Sequence, residues 1–120
     1  MTDPDRLQAS APFFHSSEQP WIDAAPGIRR QILGHTQHVM GVAVRFEQGA
    51  GVGSAHAHAL HDQVVLITAG RFDVRVGDER RVLVAGDAFV APRDVMHEAV
   101  ALEPDSRLVD MFSPRRDDFL

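Results

Sequence analysis

Residues 56–63 of this 120-residue chain read HAHALHDQ, which places three histidines, an aspartate and a glutamine within eight positions. In extended backbone, side chains two apart share a face. His56 and His58 therefore project together, separated by the small alanines 55, 57 and 59. Two neutral imidazoles converging on one point begin a metal site, since imidazole is the commonest protein ligand of transition metals. The alternative for an isolated pair of this kind is two half-exposed histidines at a strand end. His61 falls in the connecting turn, either as a competing ligand or as a histidine at the mouth of a pocket. His35 and His38 read as solvated residues of the turn before a strand over 39–47, and His15 carries no signal.

Composition narrows the chemistry around that cluster. The chain has no cysteine, so thiolate nucleophiles, thiolate metal sites and disulfides are excluded. All twelve basic residues are arginine. The absence of lysine rules out Schiff-base chemistry and a Walker-type phosphate loop, both of which need its amine. Tyrosine is missing as well, which removes another general acid. The net charge of -5 argues against a nucleic-acid partner, because neutralising phosphates requires a basic face. No apolar run reaches the roughly 18 residues of a membrane span. The opening MTDPDRLQAS lacks the basic-then-apolar form of an export signal, so no membrane is expected and the expected location is the cytoplasm.

The elements that must carry these side chains read as strands. In VMGVAVRFE (39–47), Val42, Val44 and Phe46 share a face. In RFDVRVGDERRVLVAGD (71–87), Phe72, Val74 and Val76 point one way, and Gly77-Asp78 turns the chain back into 80–85. This period of two bounded by Gly and Asp predicts a β-hairpin. QVVLITAGRF (63–72) is rich in β-branched residues up to its Ala-Gly break, and RLVDMF (107–112) predicts a last strand. No window of ten residues carries a capped helical stripe. Residues 1–20 show no sustained periodicity and read as a poorly ordered arm, apart from the Phe13-Phe14 doublet, which suits docking on a partner subunit or on the barrel's exterior. The domain proper is assigned to 21–120. The expected fold class is all-β, a single-domain sandwich or barrel.

Outward from the histidine pair, the spacing is H56-x-H58-x4-Q63-x6-G70, and after the hairpin comes G86-x5-P92-x4-H97. These two segments resemble the paired motifs of the cupin superfamily. Asp94 stands where that family usually has Gly, Ala101 where it has Asn, and Gln63 where it has Glu. The resemblance covers about residues 28–112. It implies a double-stranded β-helix (jelly-roll) barrel with His56, His58, Gln63 and His97 directed onto one divalent metal: nickel, manganese, iron, zinc or cobalt. Such a donor set leaves two positions of an octahedral ion open and, being neutral, leaves the full +2 charge on the metal. That favours polarising an anionic substrate over oxygen chemistry.

The tail, LVDMFSPRRDDFL, together with PWIDAAPGIRRQIL and VRFEQGA, is similar to the small cupins of the KdgF type. These open the rings of 4,5-unsaturated uronic acids released from pectin and alginate. The resemblance implies that Asp110, Phe112 and Arg116 line the pocket. Asp110 and Phe112 share a strand face with Leu108, and an aspartate between two large apolar residues is a candidate general acid or base. Its alternative is a strand-end carboxylate paired with Arg107 or Arg116. For Arg116, a surface ion pair competes with binding of a substrate carboxylate. The implied reaction is an isomerisation with a small anionic substrate: the metal holds the carboxylate and a neighbouring oxygen, and Asp110 moves a proton. Rival readings are a cupin dioxygenase, another isomerase or lyase acting on a small acid, and a binding module without catalysis. A homodimer is expected, built by the outer sheet and the Phe13-Phe14 arm, since pairing covers an exposed sheet edge.

Overall fold

A computed structural model gives the structure of the protein and describes residues 8–120. Among these residues nine strands follow in order: β1 (Ile22–Ala25), β2 (Ile28–His35), β3 (Met40–Phe46), β4 (Asp62–Ala69), β5 (Arg71–Val76), β6 (Glu79–Val84), β7 (Ala88–Ala91), β8 (His97–Ala101) and β9 (Ser106–Ser113). Among the described residues the helical content is two short 3-10 turns, Ser16–Glu18 and Asp117–Phe119. The strands form a six-stranded sheet ordered β1-β2-β3-β9-β4-β7 and a three-stranded sheet ordered β6-β5-β8. All paired strands are antiparallel. This is the all-β, two-sheet barrel expected from the strand pattern and the paired motifs.

Alternation along the chain sets which side chains go inside. On β3, Met40, Val42, Val44 and Phe46 are buried, with less buried residues between them. β4 buries Gln63, Val65 and Ile67 in the same way. Phe72 and Val74 on β5 face them from the small sheet, and Leu108 and Phe112 on β9 complete the core. The hairpin forms as read, with Gly77 at φ 57° opening its two-residue turn between β5 and β6.

Gly70 carries the chain from β4 in the large sheet to β5 in the small one. Its φ is +72°, and a Cβ there would lie 2.7 Å from Ser106 Cα. Only glycine fits this corner.

Four strands were not read as separate elements: β1, β7 and β8 are only four or five residues long, and in the eight-residue β2 the polar run Arg29-Arg30-Gln31 conceals the alternation. His35 closes β2 and does not lie in the following turn. Its backbone N–H donates to Ser10 Oγ (2.9 Å), and its carbonyl accepts from Ser10 N (2.9 Å). The segment read as an arm is tied to the barrel over its described part. The buried Gln31 amide donates to the carbonyls of Ser16 (3.0 Å) and Gln19 (2.9 Å). Phe14 sits with Trp21 and Leu33 against the outer face of the large sheet, while Phe13 is 84% exposed. The expectation for residues 1–7 lies outside the described residues.

Phe72 is fully buried and meets Phe46 edge-to-face, with ring centroids 5.0 Å apart. Phe72→Ala should lower stability by about 3–5 kcal/mol, through lost burial and an unfilled cavity. The check is the denaturant midpoint, and a change below about 1 kcal/mol would show that this ring is not the bridge between the sheets.

Candidate metal centre and its pocket

The stretch around His56 and His58 is extended but is not a strand of either sheet. His56 makes an isolated bridge to the first residue of β8: His56 N donates to His97 O (3.0 Å), and His97 N donates to His56 O (2.8 Å). Two residues on, His58 O accepts from Asp94 N (2.8 Å). Asp94 closes the Pro92–Val95 turn at φ 66°, a left-handed conformation that aspartate tolerates and glycine adopts freely. Asp94, at the position where the motif resemblance expects glycine, thus holds a conformation that glycine adopts without strain. These pairings set the three imidazoles together. Ring centroids are 4.8 Å apart for His56–His58, 4.3 Å for His56–His97 and 5.1 Å for His58–His97. Their ligand atoms all lie within 4.8 Å of one another.

β4 and β9 bring Gln63 and Asp110 to the same point. Gln63 pairs across the sheet with Phe112, and Asp110 pairs with Val65, so the two polar residues are diagonal neighbours on the inward face. Gln63 Nε2 donates to Asp110 Oδ1 at 2.8 Å. A carboxylate can only accept, so this bond fixes which way the amide points and frees Oε1 on its other side.

The donor set fits a cation. His58 Nε2, His97 Nε2 and Gln63 Oε1 are buried with no hydrogen-bond partner among the described residues. Each such orphan costs about 1–3 kcal/mol, so three in one pocket call for a shared partner. His97 Nδ1 lies 3.2 Å from Val95 O and His56 Nδ1 lies 2.7 Å from Ser54 O. Those carbonyls hold the proton on Nδ1 and leave Nε2 as a lone-pair donor, the arrangement that outer hydrogen bonds give to metal-binding histidines. Burial, reinforced by Arg116 and the neighbouring imidazoles, pushes the His58 pKa down to about 4, and burial also lowers that of His97. Neutral rings are what ligation requires.

The same pocket, about 230 Å³, is lined by His56, His58, Gln63, His97, Asp110, Phe112 and Arg116. That is smaller than the ~300–1,000 Å³ of drug-sized sites and suits a small metabolite. Asp110 keeps some exposure because it faces this space, yet the barrel encloses it. Burial raises its pKa to about 6, against the opposing pull of the Gln63 hydrogen bond and Arg116. It forms no ion pair among the described residues: Arg107 pairs with Asp105 (3.0 Å) and Arg116 with Asp118 (2.7 Å). Arg116 therefore has both of its anticipated features, an ion pair and a place in the pocket wall. His61 lies outside the imidazole cluster, with Nε2 3.2 Å from Arg115 O, where it anchors the C-terminal segment. The sequence reading missed Arg30 and Phe119, which also line the pocket. The available signal was parity: Arg30 shares its strand face with Ile28 and Ile32.

These pKa shifts make a pH prediction for metal-free protein. His58 is depressed from 6.5 to about 4, so its contribution is complete above pH 6.5 and is lost as pH falls towards 4. Asp110 is raised from 3.8 to about 6, so its contribution is present at low pH and is lost as pH rises through 6. The two oppose each other between about pH 4 and 6. Asp110→Asn removes the second, so urea stability should fall more steeply from pH 7 to 5 in the variant than in the wild type. Equal slopes would contradict the assignment.

Comparison with known proteins places the chain among close relatives. Residues 42–111 match the Cupin domain family. The chain is 43% identical over 108 residues to the pectin degradation protein KdgF of Dickeya dadantii (strain 3937), covering 90% of this chain and 97% of that one. The solved structure of KdgF from Halomonas sp. superposes with a TM-score of 0.87 at 50% identity, covering 92% of this chain and all of that one. An RmlC-like cupin from Shewanella frigidimarina NCIMB 400 matches with a TM-score of 0.87 at 38% identity, over 94% and 99% of the two chains.

Proposed function

Because this chain belongs to the cupin family, and within it to the KdgF proteins, we propose that it is a metal-dependent enzyme that opens and ketonises 4,5-unsaturated monouronates. The observation that carries the reading is the Gln63–Asp110 pair. One amide donates to a buried carboxylate and turns its oxygen towards the histidine cluster, so a metal ligand and an acid–base group are held 2.8 Å apart. His56, His58, Gln63 and His97 would hold one divalent transition metal, which when bound supplies Lewis-acid polarisation of substrate oxygens.

The residues of the chain do the rest. The substrate is a cyclic hemiacetal whose ring oxygen also belongs to an enol ether beside a carboxylate. Ring opening takes the proton from the hemiacetal hydroxyl, breaks the bond between that carbon and the ring oxygen, and places a proton on the released oxygen, leaving an aldehyde and an enol. Ketonisation removes the enol's O–H proton and delivers one to the neighbouring carbon of the double bond, giving the 5-keto acid. Atoms and electrons balance within one molecule, so neither oxidant nor organic cofactor enters. Asp110 suits both transfers: it faces the pocket, forms no ion pair among the described residues, and burial pushes its pKa upward, towards the range in which a carboxyl group can both take and give a proton. Phe112, 2% exposed, forms part of the pocket wall and meets His58 edge-to-face, with ring centroids 5.8 Å apart.

The test is loss of ultraviolet absorbance from 4,5-unsaturated galacturonate, because ketonisation destroys the conjugated double bond. Purified, metal-loaded protein should accelerate that loss. No rate above spontaneous opening, on pectin- or alginate-derived monomers, would end the uronate assignment.

The homodimer belongs to the same reading. Val64, Val90 and Met111 are cross-strand neighbours on the outer face of β4, β7 and β9, and each is 37–56% exposed. Such an apolar face favours pairing with a second copy. Light scattering is expected to give twice the 13.2 kDa monomer mass.

A further inference from the structure

Arg30 stands on the inward face of β2, opposite Val44 of β3, and lines the pocket that holds the histidine cluster and Asp110. An arginine on that face is out of place in a core of valine and phenylalanine. A guanidinium is a cation with five N–H donors and no acceptor, so one inside a pocket calls for an anionic partner. Yet it makes no side-chain hydrogen bond or ion pair among the described residues, and its Nε is buried without a partner.

What Arg30 does have is a support. Its guanidinium carbon lies 3.8 Å from the centre of the Phe119 ring. Arg116 also lies on that ring, at 4.0 Å, so the C-terminal phenylalanine carries two guanidinium groups. They differ in their partners. Arg116 is gripped in a fork by Asp118, with Nε and Nη2 at 3.2 and 2.7 Å from the two carboxylate oxygens. Arg30 has no such carboxylate among the described residues. Stacking on an aromatic face occupies the flat side of a guanidinium and leaves its N–H edge for a planar, two-point anion.

The geometry points to Arg30 as the residue that receives the substrate's carboxylate, with Phe119 as the positioning residue that holds the guanidinium in place. This assigns the anion specificity of the pocket to Arg30 and leaves Arg116, already neutralised by Asp118, to hold the C-terminal turn over the site. It also makes the last turn of the chain, Asp117–Phe119, part of the binding site. The inference rests on the uronate reading only for the kind of acid involved.

The experiment measures binding and turnover separately, on protein as purified with its metal. Calorimetry compares galacturonate with its methyl ester, which has the same ring without the negative charge. Wild type should prefer the acid. Arg30→Gln should weaken acid binding by roughly 10- to 100-fold, as for loss of a charge-assisted hydrogen-bonded pair, and leave ester binding nearly unchanged. Arg30→Met, which keeps a long unbranched side chain in the space without its charge, repeats the measurement if the glutamine variant does not fold. Circular dichroism and metal content check that each variant is intact. An acid preference that survives in these variants, or an equal loss for acid and ester, overturns the assignment. If wild type fails to turn over unsaturated uronates but shows an Arg30-dependent preference for the acid, the inference stands and the uronate function falls. If wild type turns them over and the preference ignores Arg30, the function stands and the inference falls.

Discussion

His97→Ala should lose metal and activity together. His97 is 4% exposed, offers an unpartnered Nε2 to the cluster, and has its other nitrogen aligned by Val95 O. Removing an outer hydrogen bond of this kind typically costs about 10–100-fold in metal affinity or activity, and removing the ligand itself should cost more. The fold has reason to survive, because the bridge between residues 97 and 56 runs through backbone groups that alanine retains. Elemental analysis after dialysis should therefore find little metal in a protein with native circular dichroism. A variant that keeps both full metal content and full turnover would remove His97 from the centre.

Asp110→Asn should separate chemistry from metal binding. Asparagine keeps an oxygen in place to accept from Gln63 Nε2, so the amide retains its orientation and Oε1 remains available to the cation. What is lost is a group able to gain and release a proton near neutrality. A fall in kcat of roughly 10²-fold or more is expected, in line with removal of a general acid–base group, while metal content stays at the wild-type level. The pH profile of the residual rate should also lose the limb that Asp110 contributes. If the variant loses its metal, the carboxylate acts through Gln63 as an orienting group. If it keeps wild-type activity, proton transfer belongs elsewhere.

The two variants bear on different parts of the sequence. His56, His58 and His97 stand out from residue type and spacing, because histidine is uncommon and the intervals repeat a known pair of motifs. Asp110 stands out for a different reason, as a charge on a strand face shared with Leu108 and Phe112. Arg30 has the same signature between Ile28 and Ile32, but it sits in the run Arg29-Arg30-Gln31, where neighbouring polar residues conceal the alternation. Phe119 follows the polar run Arg115-Arg116-Asp117-Asp118 and gives no periodic signal at all.

The sequence by itself determined the strand alternation, the hairpin at Gly77 and the all-β class, because a period of two is local and each of those elements is long enough to show it. It also singled out the histidines that cluster, through motifs whose residues are few and distinctive. Tertiary structure alone decided the pairings. Gln63 meets Asp110 because β9 lies between β3 and β4, an adjacency that joins residues 47 positions apart. His56 reaches His97 through an isolated bridge outside either sheet, and Phe119 gathers Arg30 and Arg116 from opposite ends of the chain. Local pattern records which face a side chain takes, whereas the strand order that makes two faces meet is set by the free energy of closing one core, to which every strand contributes at once.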